Sequence, residues 1–278
     1  MTDPYAVIGH PIGHTKSPLI HRLFAEATQQ AMSYVAIEGP LDPDDGFARA
    51  VRQFAADGGK GMNVTAPFKL KAFALADARS ERATLAGAAN ALKFESGRIV
   101  AENFDGIGLL RDIEVNLGVP LAGKRVLMLG AGGAARGALL PFLAAGPAEL
   151  VVANRDVSKG CALVAQVGSR GTGLRACGYS DLATRGRFDL VVNATSASLT
   201  GDLPPVPPGV FSPEGTAYEL AYGKRLTPFL RLARNAGVHG VADGVGMLVE
   251  QAAEAFAWWR GVRPLTAAVI DRLTVPLD

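Results

Sequence analysis

The sequence predicts an α/β protein of two domains. Three features carry that expectation: chain length, the alternation of short apolar runs with helical ones, and a glycine-rich turn between a strand and a helix. The chain has 278 residues, more than one hydrophobic core usually serves. Hydrophobic residues make up 49% and charged residues 19%, ample material for buried cores. The alternation runs from end to end, which argues for largely parallel sheets.

In the first third, Tyr5–Gly9, Tyr34–Glu38, Gly61–Val64, Ala89–Phe94 and Ile99–Asn103 read as strands. Pro18–Thr28, Pro43–Asp57 and Pro67–Asp77 read as the helices between them. Ser17-Pro18, Thr65-Ala66-Pro67 and Thr227-Pro228 each offer a hydroxyl N-cap near a first-turn proline. From Lys124 the character changes. Lys124–Leu129 is a strand-like run, Ala134–Ala145 is helical, and Glu149–Asn154 is the next strand, together one βαβ unit. Asp189–Asn193 and Thr216–Ala221 read as later strands of the same sheet, and the final helix, Gly244–Arg260, follows them. The domains are therefore placed at 1–106 and 107–240, and pattern alone leaves 241–278 unassigned.

Composition removes several classes of function. The net charge is +2 and no basic run is interleaved with aromatics, so nucleic-acid binding has no electrostatic footprint. The four histidines show no metal-ligand spacing, and no metal is expected. Cys161 and Cys177 are too few for a disulfide framework or a zinc site. The start MTDPYAVIGHP lacks the features of a secretory signal. No apolar run approaches the ~20 residues of a membrane helix. The expectation is a cytoplasmic protein, monomer or homodimer, with a small-molecule partner.

Gly130-Ala131-Gly132-Gly133-Ala134-Ala135 satisfies the G-x-G-x-x-G/A fingerprint of dinucleotide binding. Glycine is needed there because the backbone turns sharply and then approaches a pyrophosphate closely. Small Ala135 lets the helix lie tight on the strand, and the helix N-terminus supplies amide donors. The second strand ends about 20 residues further on, as that fold requires. Its tip distinguishes the two nicotinamide cofactors. An acidic residue would accept from the ribose 2′-hydroxyl of NAD. Here Asn154 and Arg155 stand at the tip, with Lys159 soon after, and cations suit the 2′-phosphate of NADP. Asp156 opposes that preference, so NADP is favoured and NAD stays open.

Polar side chains gather where strands end. The segments are His14-Thr15-Lys16-Ser17-Pro18, Asn63-Val64-Thr65-Ala66-Pro67-Phe68-Lys69, Ala89-Asn90-Ala91 and Asn103-Phe104-Asp105-Gly106. Ligands bind beyond the carboxyl ends of strands in open α/β sheets, which makes these segments candidate pocket walls. Each has a plainer reading: Ser17 and Thr65 as N-caps, Asn90 as a turn residue, and Asp105 as the cap of a helix over Gly106–Leu117. Lys69 stands out. It falls in the first turn of a helix, where the macrodipole disfavours a cation by ~0.3–1 kcal/mol and so favours proton exchange. A lysine beside a carboxylate is an acid/base device suited to carbonyl–alcohol interconversion.

The ordered set HTKSP (His14–Pro18), NVTAPFK (Asn63–Lys69), GAGGAARG (Gly130–Gly137), NATS (Asn193–Ser196) and ADGVGML (Ala242–Leu248) resembles the shikimate dehydrogenase family, over nearly the whole chain. The resemblance implies a Rossmann-type nucleotide domain and an N-terminal α/β substrate domain completed by the C-terminal helices, 241–278. It implies NADPH-dependent reduction of 3-dehydroshikimate to shikimate, in aromatic amino-acid biosynthesis. Lys69 and Asp105 become the catalytic pair. Thr15 and Ser17 would meet the substrate carboxylate, with Tyr222 at the same end. Asn63, Thr65, Asn90 and Gln251 would bond ring hydroxyls. Gly130, Gly132, Gly133 and Ala134 would hold the pyrophosphate, Asn154, Arg155 and Lys159 the 2′-phosphate, and Gly244 and Met247 would lie near the nicotinamide.

The chain departs from the family pattern in places. Phe104 stands where threonine is usual before Asp105, and Asp156 where threonine is usual after Arg155. Thr15 replaces serine and Glu219 replaces aspartate. These departures leave a related quinate/shikimate dehydrogenase using NAD as the alternative.

Overall fold

A computed structural model describes residues 2–42, 45–168, 173–223 and 225–277. The predicted helix start at Pro43 lies outside the described residues. The chain divides into two compact units, Met1–Gly108 with Val249–Val269, and Leu109–Leu248 with Ile270–Asp278.

In chain order the elements that build the first unit begin with β1 (Asp3–Gly9), α1 (Ser17–Thr28), β2 (Met32–Glu38), α2 (Gly46–Ala56) and β3 (Gly61–Val64). They continue with α3 (Lys69–Leu75), β4 (Ala78–Arg79), α4 (Glu81–Ala86), β5 (Ala91–Glu95), β6 (Arg98–Glu102) and α5 (Asp105–Arg111). The six-stranded sheet runs β2-β1-β3-β5-β6-β4. β1 pairs in parallel with β2 and β3, whereas β5 is antiparallel to both β3 and β6. The expectation of largely parallel pairing therefore fails locally, and a turn explains it. Ser96 and Gly97 both have positive φ, 52° and 75°, the geometry of a two-residue hairpin that reverses the chain. One consequence is that the start of β5 lies at the same sheet edge as the ends of β3 and β6.

α1 buries Ser17, Ile20, His21, Phe24 and Ala25, the three-and-four spacing of a helix face against a sheet. The core of this unit holds Ala6, Ile8, Phe47, Met62, Val64, Phe68 and Leu92. A satellite cluster joins Tyr5, Ala91 and Phe104 to Ala255 and Trp259 of the last long helix. There the Trp259 indole N–H donates to the Leu92 carbonyl at 3.0 Å.

The second unit carries β7 (Arg125–Leu129), α6 (Gly133–Ala144), β8 (Glu149–Ala153), α7 (Val157–Val167), β9 (Leu174–Cys177) and β10 (Phe188–Asn193). It continues with α8 (Ala197–Thr200), β11 (Phe211–Glu219), α9 (Pro228–Asn235) and β12 (Gly240–Asp243), before α10 (Val245–Arg260) and α11 (Ala267–Leu273). Every pairing in its sheet, ordered β12-β11-β10-β7-β8-β9, is parallel. Numbered within the unit, that is the 3-2-1-4-5-6 order of the Rossmann fold. Leu127, Leu129, Val151, Val191 and Ala217 of the central strands are buried, as expected for strands covered on both faces.

The segment 241–278 does not go with one unit as a block. β12 pairs with β11, which keeps the segment up to Leu248 in the second unit, while Val249–Val269 falls in the first and Ile270–Asp278 in the second. Arg234 of α9 donates to the Leu277 carbonyl at 3.0 Å. No helix of the described residues is long and apolar enough to cross a membrane.

Candidate active site

At one edge of the first sheet, the ends of β3 and β6 and the start of β5 collect the predicted polar side chains. Lys69 Nζ donates to Asp105 Oδ2 at 2.6 Å, with the lysine 34% and the aspartate 13% exposed. Asn90 Nδ2 donates to Asp105 Oδ1 at 2.7 Å and to Gln251 Oε1 at 3.1 Å. The Asn90 oxygen accepts from the Phe104 backbone N–H at 2.9 Å. Asn90 is thus far more than a turn residue. Its amide orients the carboxylate that faces the lysine, and through Gln251 it ties in α10. That helix reaches the site because position 108 is glycine: a Cβ there would stand 2.7 Å from the Gln251 backbone nitrogen.

Local structure corrects two capping expectations. Neither Ser17 nor Thr65 caps a helix. Lys16 is the residue before α1, and a turn over Thr65–Phe68 precedes α3, in both cases with no side-chain cap. Thr227 does cap α9, accepting from Leu230 N–H at 3.3 Å. Lys69 is the first residue of α3, so the helix end beneath it stays unfavourable for a cation. The Asp105 carboxylate compensates that cation directly. Asp105 opens α5, but its N–H is satisfied by Asn103 Oδ1 at 3.0 Å, leaving the carboxylate to Lys69 and Asn90.

Phe104 points away from this chemistry. It is 4% exposed, edge-on to Trp258 at 5.7 Å and under the Arg82 guanidinium at 5.6 Å. Full burial of such a ring is worth ~1.5–3 kcal/mol. The residue fills the core beneath α10, and its backbone serves the site.

Thr15 and Ser17 lie together, with hydroxyl oxygens 3.3 Å apart. Two residues that sequence reasoning missed sit beside them. Tyr34 donates its hydroxyl to Asn63 Oδ1 at 2.6 Å, and His21 Nε2 meets the same oxygen at 3.1 Å. The His21 ring is fully buried, and burial pushes its pKa down to about 3. A histidine on the buried face of α1 was the available signal. Tyr222 falls in the second unit and is 43% exposed.

In the second unit, β7 ends in the glycine turn and α6 begins at Gly133. Gly130 has φ +101°, and a Cβ there would press on the Ala194–Thr195 loop that follows β10. At Gly132 and Gly133 a Cβ would meet no protein atom within 4 Å. The protein's own packing does not ask for glycine at those positions. Close approach by a ligand would, and the N-terminus of a twelve-residue helix favours an anionic one. These residues fit a dinucleotide pyrophosphate.

Asp156 has a structural task of its own beside the strand tip. Its carboxylate caps α7, accepting from the Ser158 N–H at 3.1 Å and the Ser158 hydroxyl at 2.6 Å. Those bonds, led by the hydroxyl, hold its pKa low. Arg155 and Lys159 are exposed, and Asn154 Nδ2 donates to the Asp156 carbonyl at 2.8 Å. Gly244 is packed tightly: a Cβ would stand 2.2 Å from the Leu220 carbonyl oxygen. Met247 is partly buried in the first turn of α10. Glu219, wholly buried, accepts from Asn193 at 3.0 Å, Thr227 at 3.2 Å, the Ala221 N–H at 3.3 Å, and Ser198. The longer acid clamps the ends of β10 and β11 to the cap of α9. Among the described residues no cluster of metal-binding side chains occurs.

A Rossmann-type nucleotide unit and an α/β unit bearing a lysine–aspartate pair define the architecture of a two-unit dinucleotide-dependent dehydrogenase. Residues 7–92 match the shikimate dehydrogenase substrate binding domain, 113–200 the shikimate / quinate 5-dehydrogenase family, and 244–274 the shikimate 5'-dehydrogenase C-terminal domain. A shikimate dehydrogenase (NADP(+)) of Aromatoleum aromaticum is 55% identical over 278 residues, covering 99% of this chain and 98% of that protein. The crystal structure of an Ael1 enzyme from Pseudomonas putida is 68% identical, with a TM-score of 0.96 and complete coverage of both chains. Shikimate 5-dehydrogenase from Thermus thermophilus, solved with NADP(H) and shikimate, is 34% identical with a TM-score of 0.83, covering 97% of this chain and 98% of that one. The chain belongs to the shikimate dehydrogenase family.

Proposed function

We propose that this protein is an NADP-dependent shikimate dehydrogenase of the cytoplasm, interconverting 3-dehydroshikimate and shikimate. The first unit takes the substrate and the second the dinucleotide. The observation that carries the reading is the Lys69–Asp105 contact at 2.6 Å, oriented by the Asn90 amide, which is itself bonded to Gln251.

NADPH, when bound, supplies the hydride that reduces the ketone carbon. As that carbon gains the hydride, its oxygen becomes an alkoxide and needs a proton. Lys69 Nζ gives that proton and, in the oxidising direction, takes it back from the alcohol. Asp105 stabilises the ammonium form and fixes where it points. Thr15 and Ser17 donate to the substrate carboxylate, with Tyr222 assigned to the same end. Asn63, Thr65 and Gln251 address ring hydroxyls. The Asn90 amide is largely committed to Asp105, Gln251 and Phe104, so its contribution is orientation first. Gly130, Gly132, Gly133 and Ala134 would hold the pyrophosphate, Arg155 and Lys159 with Asn154 the 2′-phosphate, and Gly244 and Met247 the nicotinamide end.

Initial rates at 340 nm with shikimate or quinate, each with NADP or NAD, test the reading. Turnover of shikimate with NADP is expected to dominate. Quinate turnover with a strong NAD preference would replace it with the quinate/shikimate alternative.

A further inference from the structure

Asn63 lies at the end of β3, 5% exposed, and the direction of its amide decides what it can read. Its Nδ2 faces the Asn90 backbone carbonyl at 3.2 Å. A carbonyl only accepts, so the nitrogen must be on that side and Oδ1 on the other. Oδ1 then lies against Tyr34 Oη at 2.6 Å and His21 Nε2 at 3.1 Å. The tyrosine hydroxyl donates, and the imidazole must donate too, which places its proton on Nε2 and leaves Nδ1 bare. The His21 ring agrees: Nδ1 is the buried side-chain atom without a partner among the described residues. A bare lone pair there costs less than a stranded N–H. The two rings stack at 4.1 Å and 7°, packed with Phe24, Phe256 and Trp259, so neither donor is free to swing away.

We propose that Tyr34 and His21 are positioning residues for substrate recognition: together they saturate the oxygen of Asn63 and leave it a donor-only reader of a substrate hydroxyl. The proposal rests on the reading of the protein as a shikimate dehydrogenase. Burial keeps the phenol protonated and the imidazole neutral, so both act as stated across the neutral range. The His21 ring meets the Asn63 amide and the rings of Phe24, Tyr34, Phe256 and Trp259, with no charged group among them.

The test compares steady-state constants of Tyr34→Phe, His21→Leu and His21→Gln with wild type. Tyr34→Phe keeps the ring and removes the donor. His21→Gln keeps a donor near Nε2, whereas His21→Leu removes it. Losing one neutral hydrogen bond is worth a few-fold to about tenfold. KM for shikimate should rise by that factor in Tyr34→Phe and His21→Leu, with kcat changed less and KM for NADP unchanged. His21→Gln should recover most of the loss. Preference for shikimate over analogues lacking each ring hydroxyl in turn should narrow for one hydroxyl in Tyr34→Phe. Unchanged KM and selectivity in folded Tyr34→Phe would overturn the proposal, as would equal losses in both KM values and kcat. If wild type leaves shikimate untouched, the functional reading fails instead. Neutron diffraction then decides the amide separately: Nδ2 deuterons facing His21 would overturn the brace, and Oδ1 facing it would uphold it.

Discussion

The two units present their polar groups by opposite means. In the first, side chains do the work, and each is held by another: Asn90 orients Asp105, Asp105 meets Lys69, and Tyr34 with His21 fixes Asn63. In the second, the turn after β7 offers backbone, and glycine matters there through the side chain it lacks. A site built from side chains needs a buried layer that sets their direction, because a rotated amide exchanges donor for acceptor. A site built from backbone and a helix end needs only open approach and the right partial charge.

The contrast can be broken at Gly132. Its φ is −79°, which any residue adopts, and a Cβ there touches no protein atom within 4 Å. Gly132→Ala should therefore fold, at the modest cost of ~1 kcal/mol of an alanine at an N-cap, yet weaken NADPH binding on the order of 10–100-fold, about 1.4–2.8 kcal/mol. Calorimetric titration with NADPH checks it, and an unchanged Kd would mean that the turn serves the fold alone. Arg155→Ala probes the exposed cations. KM for NADP should rise roughly tenfold, at the weaker end for a charge-assisted contact, while KM for NAD stays put. Equal effects on both cofactors would remove Arg155 from the 2′-phosphate.

A smaller effect sharpens the first unit. His21 stays neutral in the folded protein down to about pH 3, against an ordinary value of 6.5. Below pH 6.5 the unfolded chain takes up a proton there that the folded chain refuses. The stability conferred by the neutral ring is therefore complete above pH 6.5 and lost as pH falls towards about 3. The slope approaches about 1.4 kcal/mol per pH unit. In His21→Gln the fall in Tm between pH 6.5 and 4.5 should be shallower than in wild type. Parallel curves would contradict the assigned neutral ring.

Much of this was legible in the sequence where the signal is local. The β7–α6–β8 unit follows from an apolar run, a glycine turn and a helix, and Lys69 stands out as a cation in the first turn of a helix, whereas its pairing with Asp105 follows from the family resemblance rather than from a local signal. Short elements escaped. β4 has two residues and β12 four, too few to show a period, and both owe their conformation to the strand beside them. Caps misled because a hydroxyl before proline fits more than one local geometry: Thr227 caps α9, whereas neither Ser17 nor Thr65 caps its helix. The capping role of Asp156 was hidden because its partner, the Ser158 amide, is in place only once α7 has formed. Tyr34 and His21 were hidden for a related reason, since their significance depends on β2, α1 and β3 meeting at one asparagine.

The proton-transfer role of the lysine–aspartate pair is tested most directly in Lys69→Ala, by measuring kcat for shikimate oxidation with NADP beside the binding of each ligand. The account predicts a kcat lower by roughly 10²–10⁴-fold with both ligands still bound. Near-normal turnover in that variant would contradict it.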